Sequence, residues 1–211
     1  MKGSISPAGV LERMSSAVGN PGIPSPLVAG TDPYTILVGT VISLRTRDAV
    51  TEVVTKRVLK SVPAVADLAA VSAEKLSELL YPAGFYNRKA AQLKKLAQIL
   101  ISKHHGEVPS DRKALEALPG VGGKTAAYVV SMAFGVPAIC VDVHVHRISN
   151  RLGIVKTASP AETEKALMLY FPEELWTPLN HIFVKFGQKI CRPQVPRCGE
   201  CCFKEWCRHA D

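Results

Sequence analysis

Five of the chain's six cysteines stand within seventeen positions, in CRPQVPRCGECCFKEWC. Cys191, Cys198, Cys201 and Cys207 give the spacing C-x6-C-x2-C-x5-C. Four thiolates can close a tetrahedral zinc site or hold a 4Fe–4S cluster. Structural zinc usually draws on two short cysteine pairs, and here only Cys198 and Cys201 are close in sequence, so the spacing tilts away from zinc. Cys202 adjoins a ligand position but falls outside the pattern, and Cys140 reads as a small buried hydrophobe. Between the first two thiols, Pro193 and Pro196 stiffen a loop that carries Arg192 and Arg197, cations suited to phosphate.

A second chemical constellation lies upstream, in LEALPGVGGKTA. A short helix ends at Leu118 and Pro119, Gly120, Gly122 and Gly123 follow around Val121, and a new helix begins near Lys124. Glycines let the backbone approach a ligand, and the first N–H groups of a helix carry the positive end of its dipole, which makes a phosphate seat. Lys124 faces that same positive end, and the repulsion favours a neutral, nucleophilic amine. The alternative is a point-charge contact to phosphate. Eighteen residues on, AICVDVHVHR delivers Asp142 to the start of the next helix, as an N-cap or as a carboxylate able to stabilise an oxocarbenium-like sugar and shuttle protons. His144 and His146 are two apart, so on a helix they point away from each other and are not a metal pair.

Helices must position these groups. In NRKAAQLKKLAQILISKHHG, Leu93, Leu96, Ala97 and Leu100 share one face and Gly106 can close the end. Ser110 before DRKALEAL, Gly135 after KTAAYVVSMAF, and Ser159 with Pro160 and Glu162 are further helix boundaries. No segment alternates with a period of two, so the chain reads as all-α. Gly19 to Pro26 is the most linker-like stretch.

With 47% apolar residues in 211, the chain can bury an ordinary core without covalent staples. It has neither a secretory apolar stretch nor a run near the roughly 20 apolar residues of a membrane helix, which predicts a soluble intracellular protein of cytoplasm or nucleoid, with no membrane partner. In that reducing setting clustered cysteines favour a metal site over disulfides. A net charge of +8 makes nucleic acid the leading partner.

LPGVGGKTA resembles the hairpin of the helix-hairpin-helix DNA glycosylases of the endonuclease III family, and the likeness runs on through VDVHVHRISNRLG to the final cysteines, whose spacing matches the family's 4Fe–4S motif at every interval. The resemblance implies a six-helix barrel over 27–134, a helical cluster domain from 1–26 and 135–211, and DNA across a cleft between them. It implies a monomeric bifunctional enzyme of base excision repair. Such an enzyme removes oxidised pyrimidines from double-stranded DNA and cleaves the abasic site through a lysine Schiff base and β-elimination. Lys124 would be the nucleophile, and Asp142 the essential aspartate of a VDTHV-type segment in which Val143 replaces threonine. His144 matches the family's histidine there. In AGFYNRKA, Phe85 and Tyr86 would be core aromatics or DNA contacts on sequence alone; the family's GLYN-like loop makes Phe85 the wedge. Arg45, in ISLRTRD, replaces the glutamine of the family's second probe, and Gly123 stands where relatives often carry a basic residue. The rival readings are a G/T- or U-mismatch glycosylase of the same fold, a non-catalytic DNA-binding module, and an electron carrier. Lys124 argues against monofunctional relatives, and its pairing with Asp142 against an inert module.

Overall fold

Apolar residues three and four apart produce helices throughout, and among the described residues there is no strand. The computed structural model describes residues 5–19, 32–207 and 209. The predicted linker therefore lies outside the described residues beyond Gly19. The chain divides into two compact units, Met1–Pro26 with Pro137–Asp211, and Leu27–Val136. No helix among the described residues is long and apolar enough to cross a membrane.

In the Leu27–Val136 unit, α2 (Pro33–Ser43) buries seven of its eleven residues and packs against α3 (Asp48–Ser61), α6 (Tyr86–His104) and α8 (Gly123–Phe134). A helix apolar on nearly every side belongs at the centre of its unit. The short α4 (Val65–Ala70) and α5 (Ala73–Leu80) cover α6, whose Leu93, Leu96, Ala97 and Leu100 form the buried stripe its spacing predicts. α7 (Arg112–Glu116) begins one residue later than expected. Asp111, not Ser110, caps it, its carboxylate accepting from Ala114 N at 2.8 Å. A charge-assisted cap bond at the positive end of a helix outcompetes a hydroxyl one position earlier. α8 ends at Gly135 in the left-handed region, as anticipated.

The other unit joins both ends of the sequence. α1 (Pro7–Ala17), α9 (Val143–Leu152), α10 (Pro160–Tyr170) and α11 (Trp176–Lys189) surround a core that includes Leu11, Met14, Ile148, Leu179, Phe183, Phe186 and Phe203. Ser159 caps α10 over Pro160 as its sequence requires. The end of the chain is tied to α1: the Arg13 guanidinium lies 4.8 Å from the Trp206 ring centroid and Lys189 Nζ donates to Val18 O.

Candidate functional site

The hairpin between α7 and α8 turns at Gly120, whose φ of +82° only glycine adopts without strain, and where a Cβ would come within 3.2 Å of Gln92. Val121 is buried and its N–H is already donated to Leu118 O. The outward backbone of the turn is that of Gly122 and Gly123, both exposed, at the N-terminus of α8 where a helix leaves its first amides without internal partners. Lys124, second in α8, is exposed, while Thr125, Ala126 and Ala127 behind it are buried. The helix thus fixes the lysine's base at an exposed position.

Asp142 is half-buried in extended backbone and caps α9: Oδ1 accepts from His144 N at 2.8 Å and from Val145 N at 2.9 Å. One α9 turn on, Arg147 donates through Nη2 to Cys191 O at 2.8 Å and contacts His144 Nδ1 at 3.1 Å. His144 packs tightly over Gly187, where any Cβ would collide with its ring. His146 instead faces α10, with Nδ1 2.6 Å from Thr163 Oγ1. The two histidines diverge, as spacing of two on a helix demands.

Arg45 and Phe85 sit on neighbouring turns, one after α2 and one before α6. Both are non-glycine residues at positive φ, 53° and 58°. Each costs roughly 1 to 2 kcal/mol in backbone strain. Both are exposed, Phe85 at 60%, and the Arg45 guanidinium stands 5.7 Å from the Phe85 ring centroid. Tyr86 turns the other way and packs edge-on against Tyr81. Beneath these turns Lys89 is buried at 4% exposure, and its Nζ donates to Ile42 O and Leu44 O, both at 2.6 Å, and to Thr46 Oγ1 at 2.8 Å. Burial pushes its ammonium down to about 8.

Cys191, Cys198, Cys201 and Cys207 line one pocket together with Arg151, Phe186 and Lys204. All four are free thiols. Burial raises the Cys207 thiol, and the charges of Cys191, Cys201 and Cys198 add to the rise. Cys202, outside the set, donates to Arg13 O at 3.6 Å, and its thiol–thiol interaction with Cys201 lowers the Cys201 thiol and raises that of Cys202. Among the described residues no three His, Cys, Asp or Glu side chains converge as one metal ion would need. Four thiols around a common pocket with cations beside it fit a cluster, which takes one cysteine on each iron and carries negative charge. Arg151 braces this region: Nη1 donates to Arg192 O at 2.7 Å and to Cys191 Sγ at 3.6 Å, and Nη2 to Pro193 O at 2.8 Å. Arg192 is exposed, and Arg197 is exposed and lies 3.5 Å from Glu200.

The family model described as HhH-GPD superfamily base excision DNA repair protein matches residues 38–173. The chain belongs to this superfamily. Endonuclease III of Thermotoga maritima is 46% identical over 177 residues, which cover 84% of this chain and 83% of that protein. A solved structure of a trapped endonuclease III–DNA covalent intermediate, an estranged-adenine complex, is 40% identical with a TM-score of 0.86, covering 95% of this chain and 93% of that one. A thermostable thymine-DNA glycosylase is 26% identical with a TM-score of 0.82, covering 95% and 94%. The HhH-GPD match spans Arg45, Phe85, Lys124, Asp142 and His144 and stops short of the cysteines from Cys191 to Cys207. Sequence reasoning missed three bracing side chains of this HhH-GPD chain: Lys89, Arg147 and Arg151. Lys89 had a signal, since it stands four residues before Leu93 in the apolar stripe of α6, where a charge is out of place.

Proposed function

We propose that this chain is a bifunctional DNA glycosylase and abasic-site lyase of the endonuclease III type, that its substrate is duplex DNA with oxidised pyrimidines or bare abasic sites, and that Lys124 and Asp142 do the chemistry. The observation that carries the reading is Lys124, an exposed residue second in α8, in a chain 46% identical to an endonuclease III. In this reading the nitrogen lone pair of Lys124 attacks C1′ of the damaged nucleotide. The glycosidic bond breaks, the base leaves with its electron pair and is protonated, and the amine gives up protons as the ring opens to an imine. Removal of a C2′ proton then expels the 3′ phosphate, and water releases the lysine. Asp142 stabilises the positive charge that builds on the sugar and moves protons to and from the amine.

Around this centre we assign phosphate contacts to the backbone of Gly120, Gly122 and Gly123 and to Arg192 and Arg197, and duplex opening to Phe85 and Arg45. We assign residues 27–134 to the barrel and 1–26 with 135–211 to the cluster domain. Cys191, Cys198, Cys201 and Cys207 would hold a 4Fe–4S cluster. When bound it supplies architecture, cross-linking the loop that displays Arg192 and Arg197.

A second reading, a mismatch glycosylase, is favoured by Arg45 in place of a glutamine, because arginine prefers guanine and phosphate. Duplexes carrying thymine glycol, uracil, a G/T mismatch or an abasic site separate the readings. Thymine glycol release with strand nicking and a borohydride-trapped protein–DNA adduct is expected, and Lys124→Ala abolishes the adduct. Undiminished trapping in that variant would sink the lysine assignment, and neither base release nor nicking on any duplex would leave a binding module.

A further inference from the structure

Among the described residues Lys89 is the one charged side chain buried with the core, and no carboxylate accounts for it. An ammonium has three N–H bonds, and here all three meet oxygens: Ile42 O, Leu44 O and Thr46 Oγ1. Those acceptors line the end of α2 and the turn that carries Arg45. Thr46 Oγ1 is shared, because it also accepts from Gly84 N at 3.0 Å. Gly84 presses so closely on that turn that a Cβ there would collide with Arg45 O. One buried cation thus links, through a single hydroxyl, the turn of Arg45 to the turn of Phe85, and both turns hold an exposed side chain on strained, left-handed backbone.

Strain of this kind persists only where the surroundings over-determine it. A solvated loop could present an arginine or a phenylalanine without it. We infer that Lys89 is a positioning residue for base extrusion, clamping the two turns so that the Arg45 guanidinium and the Phe85 ring meet the duplex as one preformed tool. The inference rests on the reading of Arg45 and Phe85 as the opening probes. Preorganisation matters here because two loops ordered only on contact would spend binding energy that unstacking requires. A misplacement of about 1 Å in a positioning group can cost on the order of 100-fold in rate.

The test uses the full-length, cluster-loaded protein and compares Lys89→Met with the parent on two substrates. An abasic site in a single-stranded oligonucleotide needs no extrusion and leaves no partner base. The same site, or thymine glycol, in a duplex needs both, with 2-aminopurine in the opposite strand reporting unstacking. Lys89→Met is expected to slow single-turnover cleavage of the duplex by about tenfold or more and to blunt the 2-aminopurine signal, while the single-strand rate stays within about twofold. Added to the Arg45→Ala, Phe85→Ala double variant, it should cost nothing further, since the clamp then has nothing to aim. Equal losses on both substrates, or full additivity, would make Lys89 a structural residue and overturn the proposal. No loss on either substrate overturns it as well. If the double variant itself keeps full duplex activity, the probe assignment is wrong and the clamp falls with it; if the double variant loses activity and Lys89→Met does not, the clamp alone is wrong. Should Lys89→Met fail to fold, Thr46→Val, which removes the shared hydroxyl, carries the same comparison with a smaller expected loss.

Discussion

Asp142 holds two amides of α9 on a single carboxylate oxygen, so its position is set by the helix it starts. Asparagine caps a helix about as well as aspartate, which lets the proposed catalytic role of this residue be separated from its observed role as a cap. Asp142→Asn should melt within about 3 °C of the parent, whereas base release should fall about 100-fold or more, the size of a lost proton-transfer group. Calorimetry and single-turnover base release on the same preparation check this, and a parallel loss of stability would make the residue a cap alone. Lys124, Asp142 and the four cysteines stand out in the sequence as candidates because their types are improbable where they stand: a cation at a helix's positive end, a carboxylate after an apolar run, sulfurs at fixed intervals. Lys89 and Arg151 do not. Their work depends on backbone carbonyls some forty residues away, and spacing along one helix contains no trace of those acceptors.

The hairpin element shows where local chemistry leaves room for change. A Cβ at Gly123 would meet Glu116 Oε1 at 3.5 Å and Arg112 Nη2 at 3.6 Å, ordinary contact distances, and the backbone there is not left-handed. Gly123→Lys should therefore fold normally. It should bind undamaged duplex more tightly and steepen the slope of log affinity against log salt by about one, as one added phosphate contact does. Fluorescence anisotropy across a salt series measures both. Helix boundaries marked by glycine or by Ser-Pro, at Gly135 and Ser159, followed directly from the sequence. The start of α7 did not, because Ser110 and Asp111 are both able caps and only the competition between them decides. Val121 likewise could not be told from its glycine neighbours as a backbone contact until its amide was seen bonded to Leu118 O.

At the scale of the molecule, the unit that contains the cysteines is built from both ends of the chain. Met14 on α1 is fully buried in the same core as Phe183, Phe186 and Phe203. Met14→Ala should cost about 2 to 5 kcal/mol there. Hydrogen exchange should show lost protection in α1, α9 and α11 and little change in α2 and α6, which belong to the other unit. A uniform loss across all helices would mean that the two units unfold as one. That α1 joins the last third of the sequence came from the family likeness and not from periodicity. An apolar stripe states that a face is buried and is silent on what buries it.

That arrangement sets an order in time. A ribosome makes α1 before the Leu27–Val136 unit and makes α11, which α1 packs against, after it. The middle unit has all its partners in hand and can fold as soon as it emerges. Val10, Leu11 and Met14 must wait, uncovered, until α11 arrives, and the thiols of Cys198, Cys201 and Cys207 come later still. Of these elements α1 is made before the middle unit, yet it is covered only after that unit is complete.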